Sequence, residues 1–174
     1  AITDAYRPFL HRTYLRVKGI RTFLRPNESV DLLEHYVPVD LRSGAKNIEL
    51  HDLFDGLVRG GRYVVSALAG SGKSVLMRYI ALTFFHNPRG RVPLFFELRS
   101  LNVEGSDSIL SAIHQYYKGN SSIEFADFER ALRSGYFLLI LDGFDEISPF
   151  KRSVHEREII TIAREFEKLP IIVS

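Results

Sequence analysis

The octet Ala67-Leu68-Ala69-Gly70-Ser71-Gly72-Lys73-Ser74 restricts the fold of this chain more than any other stretch. It overlaps the end of a β-rich run, Tyr63–Leu68, and opens a segment of helical period from Lys73 to His86 that Asn87-Pro88 breaks. Glycines between a strand and a helix let the backbone turn tightly and aim its N–H groups at one point, at the positive end of the helix. The octet follows the phosphate-binding pattern G-x-x-x-x-G-K-[ST], with Ala67 in the first glycine position. A small side chain can stand in for glycine there, so phosphate binding is expected to persist with slightly altered loop geometry. Lys73 can reach β- and γ-phosphates as a point charge, and Ser74 offers a hydroxyl to Mg²⁺.

A strand–loop–helix unit of this kind belongs in an α/β fold, and the rest of the chain supplies its partners. Val92–Leu98, Tyr136–Leu141 and Ile171–Val173 are short apolar runs of strand character. Residues 107–117 align Ile109, Leu110, Ile113 and Tyr117, and residues 124–133 align Phe125, Phe128 and Leu132, each on one helix face. Ser153 and Glu156 have capping-box spacing ahead of Ile159, Ile162, Ala163 and Phe166. From residue 63 the predicted order is β-α-β-α-α-β-α-β, a parallel, doubly wound sheet flanked by helices. Upstream, residues 4–18 read as a helix with Phe9, Leu10, Thr13, Tyr14 and Val17 on one face, stopped by Gly19. Residues 29–41 are ambiguous, although Val37, Val39 and Leu41 alternate as in an extended segment. Asn47 is placed to cap a helix carrying Leu50, Leu53, Phe54, Leu57 and Val58, ended by Gly60-Gly61.

Composition narrows the function. With 174 residues and 45% apolar side chains the chain can bury a real core, which excludes a disordered tail. No apolar run approaches the ~18 residues that suggest a membrane span. A net charge of +2 spread along the sequence carries no nucleic-acid signature. The absence of cysteine excludes disulfides and thiolate metal sites. No secretory signal opens the segment, and a cytoplasmic location is expected. The six histidines are scattered without metal-ligand spacing. The sequence starts at alanine and stops at Ser174, directly behind Ile171–Val173, so it is expected to be a piece of a longer protein.

The second chemical signal is Phe137-Leu138-Leu139-Ile140-Leu141-Asp142-Gly143-Phe144-Asp145-Glu146. A buried strand ending in an acid presents its carboxylate at the carboxyl edge of the sheet, where the glycine loop also lies. Asp142 can hold Mg²⁺ directly or through water. Asp145 and Glu146 add two carboxylates within one turn, and one of them is suited to orient or deprotonate an attacking water. An acidic turn after a core strand is common in α/β proteins; paired with the phosphate loop, it supplies the other half of one Mg·nucleotide site. No Asn-Lys-x-Asp guanine motif is present, which favours ATP over GTP.

Together, Ala69-Gly70-Ser71-Gly72-Lys73-Ser74, Val92-Pro93-Leu94-Phe95-Phe96-Glu97-Leu98-Arg99 and the Asp-Gly-x-Asp-Glu signature at 142–146 resemble the NACHT NTPases. These are signal-transducing ATPases of the STAND class, related to AAA+ proteins, and the resemblance covers roughly residues 35–174. It implies a P-loop three-layer sandwich over residues 47–174, cut near the sensor 1 strand and preceded by an N-terminal helical or extended linker over residues 1–46. It implies nucleotide binding by Ala69, Gly70, Ser71, Gly72, Lys73, Ser74 and Val75. Ser74 and Asp142 would bind the metal, and Lys73, Asp145 and Glu146 would serve catalysis. The segment His35-Tyr36-Val37-Pro38-Val39 is similar to the stretch that lies near the adenine in bacterial members, which makes Tyr36, Val37 and Pro38 candidate base contacts. The family acts as switches: ADP holds a closed monomer, and ATP with a ligand drives self-association. The resemblance thus implies fused effector and sensor domains outside this segment, and a role in innate immunity or antiphage defence.

Three functions stay open on the sequence: an ATPase switch with slow turnover, a nucleotide-clamped scaffold with little or none, and another P-loop enzyme such as a kinase or motor. Asp145 and Glu146 favour the first over the second. Arg7, Arg12, Arg16, Lys18, Arg21 and Arg25 contribute to an excess of eight basic over five acidic residues in the first 46, readable as a solvated helix face or as a packing surface for an effector or a neighbouring protomer. Arg99 could face the nucleotide, a partner or a surface ion pair. Phe144 reads as a packing residue.

Overall fold

Val92–Glu97 and Phe137–Asp142 are buried at every position, which a strand achieves only inside a sheet covered on both faces. The computed structural model describes residues 6–22, 25–103, 108–119 and 123–174, with residues 20–22 and 25–30 described by backbone alone. The expected helix starts at residues 4 and 107, and the side chains of Arg21 and Arg25, lie outside that description. The chain runs α1 (Arg7–Val17), β1 (Gly19–Thr22), β2 (Arg25–Asp31), α2 (Leu32–His35), β3 (Leu41–Ser43), β4 (Lys46–Ile48) and α3 (Leu50–Val58). It continues through β5 (Arg62–Val64), α4 (Lys73–His86), β6 (Val92–Glu97), α5 (Ile109–Lys118), α6 (Phe125–Arg133), β7 (Phe137–Asp142), α7 (Pro149–Glu165) and β8 (Ile171–Val173). Single 3₁₀ segments follow β6 (Leu98–Asn102) and β7 (Phe144–Glu146).

The main sheet has the order β5-β8-β7-β6 and is parallel throughout. The connection through α4 carries the chain from one edge to the other, and the later connections bring it back inward. Reversing direction with right-handed crossovers puts the two sets of helices on opposite faces. The side chains obey this. Leu94, Phe96, Leu139, Leu141 and Ile171 pack with Ile113, Phe128 and Ile162 of α5, α6 and α7. Phe95, Leu138, Ile140 and Ile172 pack with Leu57, Met77 and Ile80 of α3 and α4. The result is the three-layer α/β sandwich expected of a P-loop NTPase.

One edge of the sheet is β6, β5 being the other, and the sequence handles the β6 edge explicitly. The Val92 N–H donates to Tyr136 O at 2.8 Å, so alternate groups from Pro93 onward point away from β7. Pro93 has no N–H to lose there, which is why proline is tolerated. The outward carbonyls are capped by hydroxyls: Thr13 Oγ1 of α1 donates to Pro93 O at 3.1 Å, and Tyr117 Oη of α5 donates to Phe95 O. Beside them Phe9, fully buried, stacks on Tyr117 at 5.6 Å and on Phe128 at 5.8 Å between ring centroids. The N-terminal helix is therefore packed into the sheet edge, and the boundary expected at residue 46 falls inside β4.

Several local expectations are corrected. The last helix starts at Pro149 behind Ser148, so Ser153 and Glu156 lie inside it and form no capping box; proline at the first helical position sets the start instead. Asn47 does not cap a helix. It pairs with Arg42 in the β3–β4 hairpin, whose turn holds Gly44 at φ 61°, and α3 starts behind Glu49. The run Tyr63–Leu68 is a strand only to Val64, although the Val65 N–H still bonds Val173 O at 2.8 Å. The β1–β2 hairpin, pairing Gly19 with Asp31, was not predicted.

Candidate functional site

The loop after β5 turns through Gly70 (φ 78°) and Gly72 (φ 89°), both in the left-handed region that side chains disfavour. A Cβ at Gly70 would meet nothing within 4 Å, so backbone conformation rather than space demands glycine there. Among the described residues Arg89 is the one non-glycine with positive φ, so alanine at position 67 fits its backbone without strain. Gly72 stands at the N-cap of α4, where no side chain caps the helix and no acid occupies the first turn. The positive end of the helix dipole is thus left facing the loop. Lys73 Nζ donates to Ala67 O at 3.1 Å and lies 3.8 Å from Asp145 Oδ2, so the loop lysine and the acidic turn meet across the sheet edge.

Asp142 ends β7 opposite Glu97 of β6. It is buried, and Ser174 holds it: Ser174 Oγ donates to Asp142 Oδ1 at 2.7 Å and accepts from the Gly143 N–H at 3.1 Å. The Phe144 N–H bonds Ser174 O at 2.7 Å, fixing the following turn. Asn102 completes the clamp, donating to Glu146 O at 2.9 Å and accepting from the Ser148 N–H at 2.8 Å. Phe144 packs partly buried against the core, as expected for a spacer between acids.

Two cavities flank the start of α4. One of about 480 Å³ is lined by Val39, Leu41, Ile48 and Tyr63 on its apolar side and by Ala67, Gly72 and Lys73 on the loop side. The other, about 160 Å³, is lined by Ser74, Arg78, Glu97, Arg99, Asp142 and Glu146. The first has the size and mixed lining of a small-molecule pocket. The second gathers a hydroxyl and carboxylates, the hard oxygen donors Mg²⁺ takes. Mg²⁺ keeps several waters and binds one or two protein oxygens beside substrate phosphates, so Ser74 with Asp142 fits it without a protein cage. Among the described residues, no three His, Asp or Glu side chains cluster as metal ligands.

Of the expected base contacts, Tyr36 stacks on Tyr79 at 3.8 Å between centroids, and Val37 is 78% exposed. Neither these two nor Pro38 lines the larger cavity; Val39–Ser43, the next residues along, do. Val75 is half-buried one position after Ser74 and packs against the α3–α4 core.

Glu97 was missed as a site residue. Its Oε1 accepts from Arg78 at 3.0 Å, and its Oε2 accepts from both Arg16 at 2.7 Å and Arg99 at 3.0 Å. Burial alone would raise the Glu97 pKa, but the bonds to Arg16 and Arg99 outweigh it and hold the carboxyl below its usual range. The stability this contributes is present above the unfolded-state value near 4.5 and is lost as pH falls through the lower folded value. Glu97→Gln is expected to cost about 2–3 kcal/mol at pH 7, less than a fully buried pair because Arg99 faces solvent. In urea titrations the gap to the unaltered protein should begin to narrow as pH falls below 4.5 and close below the lower folded value; a gap independent of pH would contradict the ion-pair account.

A glycine loop at a helix N-terminus, its lysine and an acid-ended strand, set on a parallel sheet, define a P-loop NTPase. The model of the NACHT domain matches residues 62–169, well over half of the chain, and the chain belongs to this family of nucleotide-binding NTPases. Comparison with curated proteins and with solved structures finds no significant match. Among the described residues no helix is long and apolar enough to cross a membrane.

Proposed function

We propose that this chain is the nucleotide-binding part of a Mg²⁺-dependent ATPase switch, in which slow hydrolysis resets a state that governs self-association and effector output. The observation that carries this reading is the meeting of Lys73 and Asp145 beside the cavity lined by Ser74, Asp142 and Glu146. In this reading the phosphates lie along Gly70–Ser74, with the base toward Val39, Leu41 and Ile48. Tyr36 is engaged by Tyr79 and Val37 faces solvent, so the base is met by the residues that follow them. Ser74 and Asp142 hold Mg²⁺, which when bound supplies charge neutralisation at the phosphate oxygens. Lys73 exchanges Asp145 for phosphate oxygens, and Asp145 and Glu146 are then the carboxylates that orient water and take its proton. ATP is the favoured nucleotide, and a role in immunity or defence from within the cytoplasm follows the family's character.

One observation favours low turnover. Arg99 Nη1 lies 3.9 Å from Glu146 Oε2, so a guanidinium shares the carboxylate that would act as base. Phosphate release by the full-length protein tests the proposal. Glu146→Gln is expected to lower turnover about 100-fold or more while ATP affinity stays within a few-fold. Turnover unchanged by that substitution would remove Glu146 from the chemistry. Undetectable turnover under activating conditions would leave a nucleotide-clamped scaffold in place of the switch.

A further inference from the structure

We propose that Glu97 couples the phosphate end of the nucleotide site to the N-terminal helix α1, through Arg99 on one side and Arg16 on the other. The inference rests on reading the Ser74–Asp142 cavity as the phosphate and metal site. Glu97 closes the edge strand with its side chain 12% exposed, and three guanidiniums converge on it. They are not equivalent. Arg78 has Oε1 to itself, whereas Oε2 is divided between Arg16 and Arg99. Arg16 is confined, 17% exposed and 4.7 Å from the Tyr116 ring, and it projects from α1. Arg99 is 59% exposed, lines the cavity and also reaches toward Glu146.

The terminal phosphate of a nucleoside triphosphate brings negative charge into the cavity that Arg99 lines. Arg99 is the least buried of the three cations, so it is the one such a charge draws away from Glu97. Oε2 is then left to Arg16 alone, and the more buried ion pair, the one fastening α1, strengthens. A diphosphate lacks that group and leaves Oε2 divided. Helix α1 is therefore held more firmly in the triphosphate state, and by reciprocity a docked α1 favours triphosphate over diphosphate.

The test uses the full-length protein with Mg²⁺ and either ADP or the slowly hydrolysed analogue ATPγS. In the unaltered protein, amide hydrogen exchange over residues 7–17 should be slower with ATPγS than with ADP. Arg16→Gln should abolish that difference and lower the ratio of ATPγS to ADP affinity, measured by calorimetry, by about five-fold or more. Arg16→Lys should restore much of the ratio, and ADP affinity should stay within about two-fold in both. Arg99→Gln, a change at an exposed side chain, should remove the same discrimination should the Arg16 variants fold poorly. Equal weakening of both nucleotides marks Arg16 as a fold contact only and overturns the coupling, as does α1 exchange that ignores the nucleotide. Those results leave the nucleotide site standing, whereas failure of the unaltered protein to bind either nucleotide overturns both.

Discussion

Replacing Lys73 with alanine is expected to abolish nucleotide binding while leaving the fold intact. The lysine sits in the first turn of α4 with 14% of its side chain exposed, against a loop whose other donors, backbone N–H groups and the Ser71 and Ser74 hydroxyls, are uncharged. It is the only side-chain cation the loop places there, and a truncated charge contact of this kind costs about 3 kcal/mol or more, roughly 100-fold in Kd. The stability cost is small. Alanine is the best helix former, and the Lys73–Asp145 pair at 3.8 Å is long, with Asp145 63% exposed. Calorimetry with ATP and urea unfolding on the same variant separate the two effects. Unchanged ATP affinity would defeat the site assignment, and loss of binding accompanied by loss of fold would give it no support.

Phe9→Ala is expected to be the most damaging core substitution in the N-terminal segment, at about 3–5 kcal/mol. Phe9 is fully buried, and beyond Tyr117 and Phe128 its ring meets Phe137 of β7 at 6.1 Å. Removing it opens a hole between a helix and a sheet edge that neither can close without breaking the hydroxyl caps on Pro93 and Phe95. At this chain length the loss corresponds to a fall in Tm of roughly 10 °C. The urea midpoint should drop with an unchanged slope, which shows that α1 unfolds with the sheet as one unit. A loss below about 1 kcal/mol would mean that α1 comes away independently.

The parts of the site that could be read in the sequence are those written in consecutive residues. The glycine loop needs φ values only glycine adopts freely, and the acid-ended strand is an uninterrupted apolar run, so each announces itself locally. The alternation of β and α segments from residue 63 was legible for the same reason. Glu97 was not, because its partners Arg16 and Arg78 stand 81 and 19 residues away and only the sheet order brings them together. The grip of Ser174 on Asp142 spans 32 residues and was equally hidden. Among the local errors, Asn47 and Ser153 have the chemistry of helix caps, but pairing with Arg42 claimed one and Pro149 had already started the helix that contains the other. The basic N-terminal residues are not all solvated, because two of them are used within the chain, and a surface for a partner stays an expectation. Arg16 is committed to Glu97 and Arg12 to the Tyr116 carbonyl, whereas Lys18 is exposed.

The position of β8 has a consequence for how the protein is made. Of the four strands it comes last in the order of synthesis, yet it lies between β5 and β7. Until it threads into that gap, β5 has no partner in the main sheet, although α4 already packs on β6 and β7, and Asp142 lacks the hydroxyl that orients it. A nascent chain that has emerged as far as α7 therefore carries the glycine loop and the acidic turn but not the strand that joins β5 to β7. Its exposed strand edges then depend on prompt insertion of three apolar residues, Ile171–Val173, to escape aggregation.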